Sequence, residues 1–237
     1  MSPSPNDKSQ RKMVASPGHT VGLLLALLIV SIWGAFHNQL TEWPNTLSKP
    51  HMRVFLYAQI LVLQWLWAGY VWIGIRRSGT SLRNLVDDSE WTALRWLRYL
   101  GIGMIAWIAW MVISSGLASV LRPDMEQLRG VQAMLPHTPL ERVLWVGFAL
   151  TAGFCEELVY RGYLLKQFKA LAGSTLAAIV LQALVYALAH LVLPAPMELS
   201  VGLLGVLLGV LAVWQKSLVP GMILHVGVGL AALLTPG

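Results

Sequence analysis

An all-α polytopic membrane protein, a bundle of about seven transmembrane helices, is the fold class that three features of this 237-residue chain predict. The first is composition: 56% of the residues are hydrophobic and 12% are charged, with a mean hydropathy of +0.63. A soluble domain carries roughly 25% charged residues, so this chain lacks the polar surface that water demands. The second is segmentation, with apolar runs at about 21–36, 54–75, 99–121, 143–165, 174–193, 199–214 and 218–235. The third is where the charges lie. They gather in loops and at segment ends, except in the fourth run, which Glu156, Glu157 and Arg161 interrupt.

Taken in order, residues 1–20 are polar and basic (Lys8, Arg11, Lys12) and are expected to form a disordered cytoplasmic tail. No small-x-small cleavage site follows Trp33, so the first apolar run is read as a retained span rather than a signal peptide. Residues 21–139 then supply the N-terminal spans. Crossing the hydrocarbon takes about 20 helical residues, which makes the first and sixth runs the shortest candidates. Residues 90–98 alternate Trp, Leu and Arg and suit an interfacial helix; a different division of the runs gives an eighth span. The 11 tryptophans cluster towards segment ends and in the second and third spans, where an amphipathic ring anchors a helix at the interface. Residues 140–237 form the last segment, which embeds Glu156, Glu157, Arg161, His190 and His225.

Lysine and arginine placement sets the orientation. An internal N-terminus puts Arg76, Arg77, Arg83, Arg95, Arg98, Lys166, Lys169 and Lys216 on the cytoplasmic side. Lys49, Arg53, Arg122, Arg129 and Arg142 fall on the other. The bias predicts a cytoplasmic N-terminus and, with seven spans, an external C-terminus. The net charge of +6 resides in these loops, so it speaks for topology and anionic lipid contact, not for nucleic acid. A single cysteine, Cys155, excludes an intrachain disulfide and a cysteine zinc cage. It reads as a small buried thiol.

Carboxylates inside hydrocarbon cost about 2.5–3.5 kcal/mol each on insertion scales, so they are functional candidates by default. Two later runs each embed one histidine, His190 and His225. Glu156 and His190 lie 17 residues to either side of Gly173, the natural turn of a helical hairpin, and so reach the same height. Lys166 is 10 residues from Glu156, about 15 Å of helix, and His225 lies nine residues beyond Lys216, about 13 Å. All three groups are therefore expected at one depth near mid-bilayer. Glu157 and Arg161 stand at i, i+4, the spacing of an intrahelical ion pair, whereas Glu156 points about 100° away from Glu157. Pairing Glu157 with Arg161 leaves Glu156 as the carboxylate free to exchange a proton.

These residues resemble the CPBP intramembrane protease family, which includes the CAAX prenyl endopeptidases and bacterial Abi-type proteins. Its EExxxR motif is matched by Glu156, Glu157 and Arg161, and its FxxxH motif by Tyr186 and His190, with tyrosine for phenylalanine. His225 matches a third histidine, but Val228 and Gly229 stand where an Asn or similar residue follows it. The resemblance covers about 140–235. It implies Glu156 as the general base that activates a water, His190 as its holder, His225 as a donor to the oxyanion, and Glu157 and Arg161 as support. It implies no cofactor; Glu156, His190 and His225 could also hold Zn²⁺, and the sequence leaves this open. Without the Asn another oxyanion donor is needed, Gln182 or a backbone amide being candidates.

The expected activity is cleavage near the C-terminus or juxtamembrane region of a membrane-tethered protein, in the bacterial inner membrane. Two alternatives use the same residues: a non-proteolytic immunity or scaffold protein, and a proton- or cation-coupled transporter. Transporters often carry inverted repeats, and none is visible here.

Overall fold

The computed structural model describes residues 13–37, 42–87, 89–90 and 92–234. Residues 1–12, with Lys8, Arg11 and Lys12, lie outside the described set. The remainder of the expected tail is packed: Val14 and Ala15 are buried, and their amides donate to Gln167 Oε1 at 2.7 and 3.3 Å. Helix α1, Pro17–His37, therefore begins within the segment first assigned to the tail. There follow α2 (Trp43–Thr46), α3 (Pro50–Arg77), α4 (Leu82–Val86), α5 (Ala93–Leu121) and α6 (Met125–Ala133). The C-terminal half contributes α7 (Pro139–Ala172), α8 (Thr175–Leu188), α9 (Ala195–Gln215) and α10 (Val219–Ala231).

Each apolar run of the sequence forms a helix, and five of the helices are long and apolar enough to cross a membrane: α1, α3, α5, α7 and α9. The protein is an integral membrane protein. The short elements are the fifth and seventh runs, not the first and sixth. Helix α8 has 14 residues, about 21 Å, against about 30 Å of hydrocarbon. After Leu188 it gives way to tighter turns, the His190 amide donating to the Ala187 carbonyl at 2.8 Å and the Leu193 amide to the His190 carbonyl at 2.8 Å, and Pro194 then precedes the next helix. Residues 93–98, expected in a separate interfacial helix, are instead the first turns of α5, begun by the Thr92 side chain accepting from the Arg95 amide.

Helix α7 is the hub. It packs on α3 along one side and α10 along another, while α8 folds back on its end after Gly173 (φ 68°) turns the chain. Its start is fixed by a capping box, Thr138 bonding the Glu141 amide and Glu141 bonding the Thr138 amide. Glu141 also meets Arg53 of α3 at 3.1 Å, a buried pair that aligns these two helices. In its middle, Glu157–Leu164, the helix widens to π-type bonding, with the Leu165 amide donating to Tyr160 O. Every residue of that stretch is buried. Such segments are uncommon and recur at functional sites.

Candidate active site

The π segment surrounds two acidic groups with opposite environments. Glu157 is wholly buried, and its Oε1 accepts from Arg161 Nη1 at 2.8 Å, the i, i+4 pair read from the sequence. Arg161 is equally buried; its guanidinium lies 4.3 Å from the Tyr186 ring centroid and 5.6 Å from that of Tyr160. Nη2 reaches the Gly205 carbonyl at 3.5 Å. A buried ion pair is costly to desolvate unless its remaining hydrogen-bonding capacity is met; two aromatic faces and a carbonyl meet part of it, while Arg161 Nε and Glu157 Oε2 have no hydrogen-bond partner among the described residues.

Close helix contacts deliver the third-motif histidine. A Cβ at Gly153 of α7 would lie 2.4 Å from Val226 Cγ2, and one at Gly221 of α10 would lie 3.0 Å from Glu157 Oε2. Glycine at both positions lets the helices approach until His225 Nδ1 is 3.0 Å from Glu157 Oε1. The carboxylate can only accept, so Nδ1 carries the proton. Nε2 then faces Glu156 Oε2 at 3.7 Å and the Tyr186 hydroxyl at 3.4 Å.

Glu156 points elsewhere, as its offset from Glu157 requires. Its side chain keeps 19% of its surface accessible, against none for Glu157. It borders a cavity of about 300 Å³ that is mostly apolar, walled by Leu27, Val30, Ile60, Leu63 and Phe148. His190 borders the same cavity from the turn after α8. Its Nδ1 donates to the Tyr186 carbonyl at 2.8 Å, which leaves Nε2 as the acceptor of the neutral ring. The five residues singled out from the sequence thus fall within one region: Glu157 and Arg161 in its wall, His225 bridging both glutamates, and Glu156 and His190 on the cavity.

The structure corrects one expectation and adds two groups. Gln182 is buried with its amide nitrogen donating to the Gly205 and Ile179 carbonyls at 2.8 and 3.0 Å, so it cannot serve as an oxyanion donor. Tyr186 does more than replace a phenylalanine, because its hydroxyl approaches His225. Gln64 of α3 also reaches the site, its Nε2 standing 3.4 Å from Glu156 Oε1. Gln59 and Gln64 are the two glutamines in this apolar span, and nothing in the sequence distinguishes the one that meets Glu156. Cys155 is buried beside the cavity, in keeping with a structural thiol. Among the described residues, no group of three His, Cys, Asp or Glu side chains is gathered as a metal site would require.

A family model described as type II CAAX prenyl endopeptidase Rce1-like matches residues 138–231, from the cap of α7 to the last residue of α10. Comparison with curated proteins and with solved structures gives no match.

Proposed function

We propose, from the premise that residues 138–231 are of the type II CAAX prenyl endopeptidase Rce1-like family, that this protein is a glutamate-dependent intramembrane endopeptidase. The observation that carries the reading is the meeting of Glu156 and His190 on one apolar cavity, with His225 3.7 Å from Glu156. A water donating one proton towards Glu156 and the other towards His190 Nε2 has its oxygen lone pair directed at a substrate carbonyl. Attack transfers a proton to Glu156 and places negative charge on the carbonyl oxygen. His225, when protonated, carries an N–H on Nε2 for that oxyanion while Nδ1 remains on Glu157. Collapse breaks the C–N bond as Glu156 returns its proton to the leaving amine, giving a free amine and a carboxylic acid, which passes the water's second proton to the amine to leave as carboxylate and ammonium. Glu157 and Arg161 hold the frame and exchange no proton. The scheme is metal-independent, so activity should survive exhaustive chelation.

The substrate class follows from the cavity walls: a membrane-tethered protein or peptide whose apolar part enters from the bilayer and whose scissile bond lies close to it. A CAAX-type tail bearing a prenylated cysteine fits that description. The proposed setting is a bacterial inner membrane with the N-terminus in the cytoplasm, the side on which Arg76, Arg77, Arg95, Arg98, Lys166, Lys169 and Lys216 fall, against Arg53, Arg122 and Arg142 at the opposite ends of the same helices. A non-proteolytic scaffold or immunity role is the second reading, favoured by the glycine and valine that stand where the resemblance places a polar residue after His225. Comparative terminomics of host membranes, wild type against Glu156→Gln at matched expression, separates the two. A defined set of termini lost with Glu156→Gln is the expected result. Identical termini, with the variant folded and abundant, would sink the peptidase reading.

A further inference from the structure

We infer that Gln64, on a helix outside the family-matched segment, is a positioning residue for the Glu156 carboxylate, held in register by Thr151. The inference rests on the peptidase reading for its rate effect, though not for the contact itself. Gln64 is buried at 4% exposure in a span where a polar side chain is costly unless it is bonded. Its two amide atoms are used in opposite senses. Oε1 accepts from the Thr151 hydroxyl at 2.6 Å, one turn before Glu156 on α7. Nε2 then necessarily faces the other way and donates to Glu156 Oε1 at 3.4 Å. The carboxylate can only accept, so it takes the Nε2 end of the amide and leaves Oε1 for the Thr151 hydroxyl, which anchors the side chain from that end.

The division of labour on Glu156 is complete in this arrangement. Oε1 is held by Gln64, and Oε2 lies towards His225 with no hydrogen bond to it from any described residue. A carboxylate held through Oε1 by Gln64, with its buried Oε2 turned to His225, keeps one orientation where the residue borders the cavity, and a fixed orientation is what proton abstraction from a water requires. The Thr151 hydroxyl also lies 3.0 and 3.1 Å from the Gly147 and Phe148 carbonyls. Removing the glutamine acceptor therefore leaves that hydroxyl a partner within its own helix. Gln64→Met, nearly the same shape without the amide, is thus a substitution the fold can absorb.

Two measurements test this in purified full-length protein in proteoliposomes. Infrared difference spectra of ¹³C-glutamate-labelled protein, with and without Glu156→Gln, isolate the Glu156 carboxyl band. In the Gln64→Met background that band is expected to shift. The second uses an internally quenched peptide with an S-farnesyl cysteine followed by three residues. For Gln64→Met, kcat should fall about tenfold to a hundredfold with KM held within about twofold. Thr151→Val should lower kcat in the same sense, Thr151→Ser should recover it relative to Thr151→Val, and the Gln64→Met/Thr151→Val pair should be far from additive. An unmoved carboxyl band overturns the inference, as does an unchanged kcat in a chain that cleaves the probe. If the wild-type chain leaves the probe intact, the peptidase reading fails on that substrate, and the band alone decides the role of Gln64.

Discussion

Tyr186 is one hydroxyl away from the phenylalanine of the motif it resembles, and that hydroxyl lies 3.4 Å from His225 Nε2. The ring below it is already fully engaged, under Arg161 at 4.3 Å and edge-on to Tyr160 and His190. Tyr186→Phe therefore removes one hydrogen bond and leaves the packing alone. A bond of that kind contributes about 1 kcal/mol, so the rate on the farnesylated probe should fall between about threefold and tenfold, with unfolding temperature nearly unchanged. A drop in stability without a rate effect would assign the hydroxyl to the fold instead. Arg161 makes the opposite case. Arg161→Met strands the Glu157 carboxylate in a site with no accessible surface, and breaking one side of a buried pair costs about 3–5 kcal/mol. Denaturant titration in micelles should find that loss, and Glu157→Gln in the same chain should recover part of it by removing the uncompensated charge.

Helix α10 explains at the element scale why no asparagine follows His225. Gly229, one turn on and facing α7, would place a Cβ 2.9 Å from Ala149 Cβ, and its carbonyl already accepts from Trp145 Nε1 at 2.9 Å. Val228 turns away, onto the cluster that includes Trp110 and Leu204. Neither position has room for a polar side chain aimed at the cavity. Gly229→Asn should accordingly destabilise the protein by about 1–3 kcal/mol through overpacking, and Ala149→Gly in the same chain should relieve part of it, both read by thermal unfolding. How much of this was legible in the sequence differs by element. The Glu157–Arg161 pair and the common height of Glu156, His190 and His225 followed from helical geometry alone, because rise and turn are properties of the backbone. The shortness of α8 did not, since leucine and alanine run on through His190 and only Pro194 hints at a stop. The π segment was equally hidden: its cause is tertiary, a stretch buried on all sides among α3, α4, α8, α9 and neighbouring turns of α7. Gln64 and the Arg53–Glu141 pair depend on which spans become neighbours, which periodicity does not encode.

At the scale of the molecule, short polar contacts tie the basic ends of the long helices into one layer. Lys166 Nζ donates to the Asn84 and Leu85 carbonyls at 2.7 and 3.3 Å, Arg98 Nη2 donates to Gln215 Oε1 at 2.8 Å, and the Leu218 amide donates to the Val86 carbonyl at 2.8 Å. Asp87 sits at the centre, bridged to Ser217 between α9 and α10. Burial pushes its carboxyl up, but hydrogen bonds from the Ser89 side chain and amide, Tyr99 and Ser217 more than reverse this, so its pKa lies below the ordinary aspartate value. A group depressed in the folded state binds its proton more readily when unfolded. Its stabilising contribution is therefore complete above the unfolded pKa, about 3.9, and is lost as pH falls through the lower folded value. Because α4 and the α9–α10 turn both hang on this carboxylate, the loss should loosen α10, and with it the seat of His225. Wild-type unfolding temperature should decline as the pH drops below about 4. Asp87→Asn, which keeps the shape but not the charge, should start lower at neutral pH and lose the part of that decline that Asp87 supplies. Hydrogen exchange at neutral pH should then find faster opening in the variant at the first turn of α10 than in α3. Equal protection of that turn in both proteins would detach Asp87 from the site and leave it a buried latch of no consequence for His225.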